Sequence, residues 1–228
     1  RRHGLAATIV VPHGNSVEKN AAMRALGAEL IEHGDDFQAA REHAAALAHQ
    51  QSLHFVPSFH RDLVLGVATY WAEFFRAVQP DVVFVPIGMG SGISACAVAR
   101  SITGVATRIV GVVSAHATAY LDSFRAGRAV EAPVTTLLAD GMACRVPDAA
   151  ALDLIRRETD DIAAVTDDEV AAAMRLLYVA THNVAEGAGA ASLAAAMQQR
   201  ARWQGKCIGV TLCGGNVDRD VFARVLAA

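Results

Sequence analysis

The residues most able to bind a ligand form a turn of small residues between an apolar strand and a helix. The stretch DVVFVPIGMGSGISACAVA predicts a buried parallel strand over residues 82–85 and a helix from about Ile93. The turn between them has little side-chain bulk, because it contains Gly88, Gly90, Ser91 and Gly92. Backbone N–H groups can therefore approach an anion closely, and the helix start adds unpaired donors and a positive dipole end. The pattern predicts a site for a phosphate monoester.

Two familiar phosphate motifs do not fit this turn. The dinucleotide-binding pattern needs a third glycine five residues after the first, where this chain has Ile93. The next predicted strand, residues 108–113, is followed by Ser114 and not by a ribose-binding acid. A Walker loop needs Gly-Lys-Ser/Thr, yet the only lysines are Lys19 and Lys206. An ordinary tight turn without a ligand remains the alternative.

Three further segments carry residues that could line a site. A second glycine turn, TLCGGNVD at 211–218, follows the last predicted strand, and ligands of open α/β sheets bind at such strand ends. Cys213 there is either a hydrogen-bond partner for a heterocycle or a small buried apolar residue. Glu186, at a helix start rich in small residues, either lines a pocket or interacts with the helix dipole. Gly141, in the sequence ADG, forms a turn or a wall of the substrate pocket.

Composition excludes several classes of partner. With 228 residues, of which 53% are hydrophobic, the chain can bury a substantial core. The net charge of −3 and the scattered arginines give no electrostatic case for nucleic acid, and no apolar run is long enough to span a bilayer. No cysteine spacing or histidine motif is typical of a metal site. We expect a globular protein of the reducing cytoplasm, without a metal, nucleic-acid or membrane partner.

Helical and strand patterns alternate along the chain, which predicts an α/β fold with parallel sheets. Asn15 with Glu18 resembles a capping box before one helix, Asp35 is predicted to begin a second, and Thr166 with Glu169 a third. Residues 133–147 show no periodicity, which is typical of a functional loop or a lid. The predicted strands are residues 5–11, 29–32, 53–56, 82–85, 108–113, 162–165 and 207–212.

The spacing of these elements suggests two lobes. Residues 1–56 are predicted to form part of a small α/β lobe, and residues 57–228 a larger one with longer, more apolar helices. The first residues, Arg1 to Gly4, resemble the end of a helix that leads into the first strand. We therefore expect these residues to be the downstream part of a longer polypeptide.

Four motifs occur in the order VPIGMGSGI, ADG at 139–141, EGAGAA at 186–191 and CGGNVD at 213–218. Together they resemble the pyridoxal-phosphate enzymes of the tryptophan-synthase-β fold type, and within that group threonine dehydratases and serine racemases. The resemblance implies two-lobed open parallel sheets, a homodimer, and an ammonia-lyase that converts L-threonine or L-serine to a 2-oxo acid and ammonia. Racemisation or β-replacement, and non-catalytic ligand binding, are the alternatives.

The resemblance also implies roles for individual residues. The turn Gly88, Met89, Gly90, Ser91 and Gly92 would hold the cofactor phosphate, in agreement with the argument from its N–H groups. Cys213, where serine is more frequent, would face the pyridine nitrogen, and Glu186 would lie near the cofactor ring or its pocket. A neutral thiol leaves that nitrogen largely unprotonated and makes the cofactor a milder electron sink.

The chain departs from the family pattern in three respects. The segments that carry the Schiff-base lysine and the substrate-carboxylate loop are not matched, so we expect both upstream of Arg1. The sequence GVATYW at 66–71 stands where relatives often have a GQGT-like run, and Met89 and Ser91 replace glycines. Relatives with a divalent-cation site often have an acid before ADG, where this chain has Thr136 and Leu137, so no metal is implied.

Overall fold

The computed structural model describes residues 3–228. Arg1 and Arg2, which belong to the predicted helix end, lie outside the described residues. The chain divides into two compact units. One contains the residues up to Pro57 together with Asn216–Ala228, and the other is Ser58–Gly215.

Six strands and nine α-helices form within residues 3–228. The strands are β1 (Thr8–Val11), β2 (Glu29–Glu32), β3 (Val82–Pro86), β4 (Arg108–Ser114), β5 (Asp161–Val165) and β6 (Ile208–Val210). The helices are α1 (Val17–Ala25), α2 (Phe37–Gln50), α3 (Arg61–Ala77), α4 (Ser91–Thr103), α5 (Ala119–Ala126), α6 (Ala149–Glu158), α7 (Asp167–Thr181), α8 (Gly187–Gln198) and α9 (Arg219–Ala227).

The first unit contains a two-stranded parallel sheet in which Thr8 is paired with Glu29. The N-terminus of α1 is held by Asp218, whose carboxylate accepts hydrogen bonds from the backbone N–H groups of Val17 at 3.1 Å and Glu18 at 3.2 Å. The Glu18 carboxylate in turn accepts from the N–H of Arg219 at the start of α9. Each helix start thus receives an acceptor from the other helix, which satisfies donors that an α-helix cannot pair internally.

The second unit contains a four-stranded sheet in the order β5-β4-β3-β6, and every pairing in it is parallel. The predicted α/β class with open parallel sheets is confirmed. Strand β3 is central and buried from Val82 to Val85, as its unbroken run of apolar residues predicts. Because β3 and β6 are parallel neighbours, with Phe84 paired to Val210, the turns that follow them lie at the same edge of the sheet.

One predicted strand and two predicted helix starts are wrong. Residues 53–56 form no strand: the N–H of Leu53 bonds to Ala48 O at the end of α2, and Leu53 and Val56 are exposed. Ser16 and Asp36, one residue later than predicted, cap α1 and α2. The helix start predicted at Thr166 is confirmed, and the structure shows a capping box there between Thr166 and Glu169. A short apolar run does not show whether another strand will pair with it, and two adjacent polar residues do not show which one will cap a helix. Tertiary contacts decide both.

Two predicted strands are longer than those observed, since β1 begins at Thr8 and β6 extends only from Ile208 to Val210. Residues 133–147 contain no strand and only a single 3₁₀ turn, Asp140–Met142. Thr136 ties this loop to α7: its hydroxyl donates to Asp167 at 2.7 Å, and the same carboxylate accepts the N–H of Leu137 at 2.8 Å. The loop is therefore anchored to α7 near its N-terminal end.

Candidate functional site

The turn after β3 presents a row of backbone donors. Gly90, the N-cap of α4, has φ +93°, a left-handed conformation that favours glycine, and it contributes no side-chain cap. A Cβ at Gly90 would lie only 2.8 Å from the Cβ of Ala151. In the described part of the chain, no protein group accepts a hydrogen bond from the N–H of Gly90, Ser91 or Gly92. Three consecutive donors at the positive end of a helix dipole form a cradle for an anion.

Close packing fixes the first part of this turn. A Cβ at Gly88 would collide with the carbonyl oxygen of Gly141, and a Cβ at Gly141 would lie 2.9 Å from the Cβ of Ala188 in α8. The ADG segment thus lies between the turn at Gly88–Gly92 and α8. Met89 contacts the same loop, since its Sδ lies 3.7 Å from the Sγ of Cys144. No larger side chain fits at either glycine without displacing backbone.

The turn after β6 packs on the start of α8. The N–H of Glu186 donates to the carbonyl oxygen of Gly214 at 3.0 Å. A Cβ at Gly214 would collide with the Glu186 carboxylate, and a Cβ at Gly189 would collide with Gly214 O. The glycines of this turn and of α8 allow the two backbones to touch. Glu186 is therefore positioned at the ligand edge of the sheet, immediately beside the second turn.

Cys213 carries a neutral thiol at this edge. Its Sγ lies 3.9 Å from the carbonyl oxygen of Ala188. Although Cys213 as a residue is exposed, the protein around its thiol removes much of the thiol's hydration and raises its pKa above the ordinary value, and the Glu186 carboxylate raises the pKa further. The thiol therefore stays protonated at neutral pH and can donate a hydrogen bond to a ring nitrogen.

Aromatic side chains of α3 face the same turn. A cleft of about 380 Å³ is lined by Tyr70, Trp71, Phe74, Thr211, Leu212 and Cys213. The helix approaches β6 closely because Gly209 has no side chain: a Cβ there would lie 3.0 Å from the ring of Phe74. Sequence reasoning did not assign these aromatics to the site, although the departure GVATYW at 66–71 was a signal for them.

The structure connects the predicted site residues by direct packing within the second unit. Gly88 contacts Gly141, Gly141 faces Ala188 of α8, and Glu186 at the start of α8 contacts Gly214 beside Cys213. Lys206 lies elsewhere: it precedes β6, at the opposite edge of the sheet, and its Nζ is 3.5 Å from the Asp81 carboxylate. Within this unit, packing through the ADG segment and α8 links the two turns, whereas Lys206 lies away from both.

These residues fit a cofactor that carries a phosphate and a pyridine ring. The unpartnered N–H groups of Gly90, Ser91 and Gly92 suit a dianion, and the neutral Cys213 thiol suits an unprotonated ring nitrogen. The sequence profile of the pyridoxal-phosphate dependent enzymes matches residues 1–214. The chain belongs to this family. The predicted resemblance and the predicted cofactor, pyridoxal phosphate, are confirmed.

The relatives of this pyridoxal-phosphate family member include characterised lyases. The chain is 32% identical over 225 residues to an L-threonine ammonia-lyase of Thermotoga maritima and 35% identical over 227 residues to that of Geobacter sulfurreducens, with 98% of this chain covered in each case. The chain spans 56% of the length of both relatives.

A solved structure gives the same fold. The processed form of threonine deaminase isoform 2 from Solanum lycopersicum superposes with a TM-score of 0.89 at 26% identity, covering 99% of this chain and 63% of that one. The predicted tryptophan-synthase-β-like fold is confirmed. The Schiff-base lysine expected upstream of Arg1 stays a prediction.

Two absences hold for the described residues. Within residues 3–228, no three histidine, cysteine, aspartate or glutamate side chains are grouped closely enough to hold a metal ion. None of the described helices is both long and apolar enough to cross a membrane.

Proposed function

We propose that the complete protein is a pyridoxal-phosphate-dependent ammonia-lyase that converts a small β-hydroxy amino acid, L-threonine or L-serine, to a 2-oxo acid and ammonia. The observation that carries the proposal is the presence, at one sheet edge, of a row of N–H donors without a protein acceptor after β3 and a neutral thiol after β6 in the described residues. The names of the two L-threonine ammonia-lyases support the choice of substrate.

The chain's own residues would bind and orient the cofactor. The N–H groups of Gly90, Ser91 and Gly92 would hold its phosphate, and Gly88 and Met89 would shape the turn around that group. Bound in this way, the cofactor supplies a sink for negative charge at the substrate Cα. The strength of that sink depends on the ring nitrogen, which the second turn contacts.

Cys213 would donate a hydrogen bond to the ring nitrogen without giving up its proton, because burial and the Glu186 carboxylate both raise its pKa. The nitrogen then carries no formal charge and the sink stays mild. Glu186 would lie beside the ring, and Gly141 in the wall of the substrate pocket.

The proposal extends to features that the family resemblance supports. We infer that a Schiff-base lysine and a substrate-carboxylate loop lie upstream of Arg1, and that the protein is a cytoplasmic homodimer. Size-exclusion chromatography with light scattering would measure the oligomer. A monomer at micromolar concentration would contradict the dimer and leave the reaction untouched.

The experiment that tests the function uses the full-length protein loaded with pyridoxal phosphate. Incubation with L-threonine or L-serine should release a 2-oxo acid and ammonia in equal amounts, whereas D-threonine serves as the matched substrate control. The remaining amino acid is analysed for chirality. D-Serine without 2-oxo acid would indicate racemisation, and a loaded protein that changes neither substrate would indicate a non-catalytic ligand-binding member.

A further inference from the structure

The hydroxyl of the buried Tyr120 makes a hydrogen bond to the backbone of the turn at Gly88–Gly92. Tyr120 of α5 is 1% exposed, and its hydroxyl donates to the carbonyl oxygen of Met89 at 2.9 Å. The hydroxyl oxygen of Tyr120 also accepts a hydrogen bond from the N–H of Asp148 at 3.1 Å. The hydroxyl therefore uses its donor on the turn and an acceptor lone pair on the start of α6, which leaves it little freedom to rotate.

The bond to Met89 orients a donor on the other side of the peptide. The structure contains no cis peptide bond in its described part, and in a trans peptide the C=O and the N–H point in opposite directions. With the Met89 carbonyl aimed at Tyr120, the N–H of Gly90 is aimed away from it. That N–H belongs to the row of donors that bind no protein acceptor in the described residues.

The groups that surround the Tyr120 hydroxyl are also held in place. Asp148 caps α6, since its carboxylate accepts the N–H groups of Ala150 at 3.0 Å and Ala151 at 3.2 Å. A Cβ at Gly90 would lie 3.3 Å from the Tyr120 hydroxyl and 3.4 Å from Ile155 of α6. Helices α5 and α6 thus form a wall behind the turn. A water molecule or a larger residue has little room to replace the tyrosine's role.

We propose that Tyr120 is a positioning residue for the cofactor phosphate: its hydroxyl fixes the Met89 carbonyl so that the Gly90 N–H faces the phosphate. Tyr120 acts through the Met89–Gly90 peptide and does not touch the cofactor. The proposal rests on the proposed function only in placing the phosphate at the turn after β3. Tyr120 lies in none of the four sequence motifs.

Tyr120→Phe in the full-length protein tests this role by removing one hydroxyl. The dissociation constants of pyridoxal phosphate and of pyridoxal, which has the ring and the aldehyde but no phosphate, are measured by equilibrium dialysis against the cofactor-free protein. We expect pyridoxal phosphate to bind about tenfold more weakly and pyridoxal to change by less than about twofold. Tyr178→Phe removes a hydroxyl from α7, beside His182, and is the matched control.

A spectroscopic measurement separates orientation from general loosening. The ³¹P chemical shift of the bound cofactor should move in Tyr120→Phe and stay at the wild-type value in Tyr178→Phe, because only the first variant changes a donor to the phosphate. Equal weakening of both ligands in Tyr120→Phe, or unchanged affinity for pyridoxal phosphate, would overturn the proposal.

A rescue variant covers the case in which Tyr120→Phe does not fold. Replacement of Tyr120 by 4-aminophenylalanine keeps the ring and restores an N–H donor toward Met89, but it is a weak acceptor for the Asp148 N–H. Wild-type affinity for pyridoxal phosphate would support the donor role, and an affinity about tenfold weaker for pyridoxal phosphate but not for pyridoxal would refute it. A wild-type protein that binds the cofactor without lyase activity would refute the proposed reaction and leave the role of Tyr120 standing.

Discussion

The two glycine turns follow neighbouring parallel strands, yet they are built differently. The turn at Gly88–Gly92 is buried or half-buried, and side chains and backbone of α5, α6 and the ADG loop press on it. The turn at Cys213–Gly215 is largely exposed; the atoms closest to Gly214 on its side-chain side belong to the flexible Glu186 carboxylate, although the turn's backbone also contacts α8. A charged phosphate needs several backbone donors held at fixed positions, whereas a ring nitrogen needs one side-chain donor. The difference in packing reflects the number of groups that must be positioned together.

The largest effect is expected from Gly88→Ala. The added methyl group would collide with the carbonyl oxygen of Gly141, a backbone atom that cannot move without shifting the ADG segment. We expect binding of pyridoxal phosphate to weaken by about a hundredfold, measured by equilibrium dialysis. Gly66→Ala controls for the added methyl group, because it points into open space on α3 and should raise stability by about 0.5–1 kcal/mol.

The matched substitution in the second turn is Gly214→Ala. Its methyl group meets the end of the Glu186 side chain, which can rotate away, so binding should weaken by no more than about tenfold. Equal losses in Gly88→Ala and Gly214→Ala would contradict the contrast between a rigid and an adaptable turn.

An intermediate effect is expected on the reactivity of Cys213. Because burial and the Glu186 carboxylate raise the pKa of this thiol, little thiolate is present at about pH 8. Both Cys213 and Cys207 are exposed, yet iodoacetamide should modify Cys213 at least about threefold more slowly than Cys207, with mass spectrometry reporting both sites. Glu186→Gln should accelerate modification of Cys213 alone. Faster modification of Cys213 than of Cys207 in the wild type would disprove the neutral thiol.

The smallest effect is expected at Asp218, which follows the second turn and accepts solvent-exposed hydrogen bonds from the start of α1. The hydroxyl of Ser16, together with backbone N–H groups of α1, lowers the pKa of Asp218 below its ordinary value. The stabilisation from this carboxylate is therefore present above the ordinary aspartate pKa and is lost as the pH falls through the lowered one. Asp218→Asn should lower the free energy of unfolding by about 0.5–1 kcal/mol at pH 7.

Urea titration checks this prediction. The difference between Asp218→Asn and the wild type should shrink at about pH 3, where the wild-type carboxylate is partly protonated. Asp153→Asn, an exposed position within α6, is the control and should have no pH-dependent effect of this size. A loss that does not change with pH would show that the carboxylate charge contributes nothing.

The sequence predicted those parts of the fold that depend on local pattern. The unbroken apolar run of β3, the helix start at Thr166 and the alternation of strand and helix each have a local cause. The strand predicted at 53–56 failed because a strand needs a neighbour to pair with, and a short apolar run does not reveal one. The sequence did not predict that Tyr70 and Trp71 line the cleft, for a related reason. The close approach of α3 to β6 depends on Gly209, which is distant from α3 in the sequence.

The sequence by itself determined that two small-residue turns end parallel strands and that together they resemble a pyridoxal-phosphate site. Glycine content, strand pattern and motif order are properties of neighbouring residues, so they can be read without a structure. Only the tertiary structure decided which groups hold those turns. Tyr120 meets the carbonyl of Met89 from 31 residues along the chain, and the charge state of Cys213 depends on burial and on Glu186. Contacts and burial arise from packing between distant segments, which no local pattern encodes.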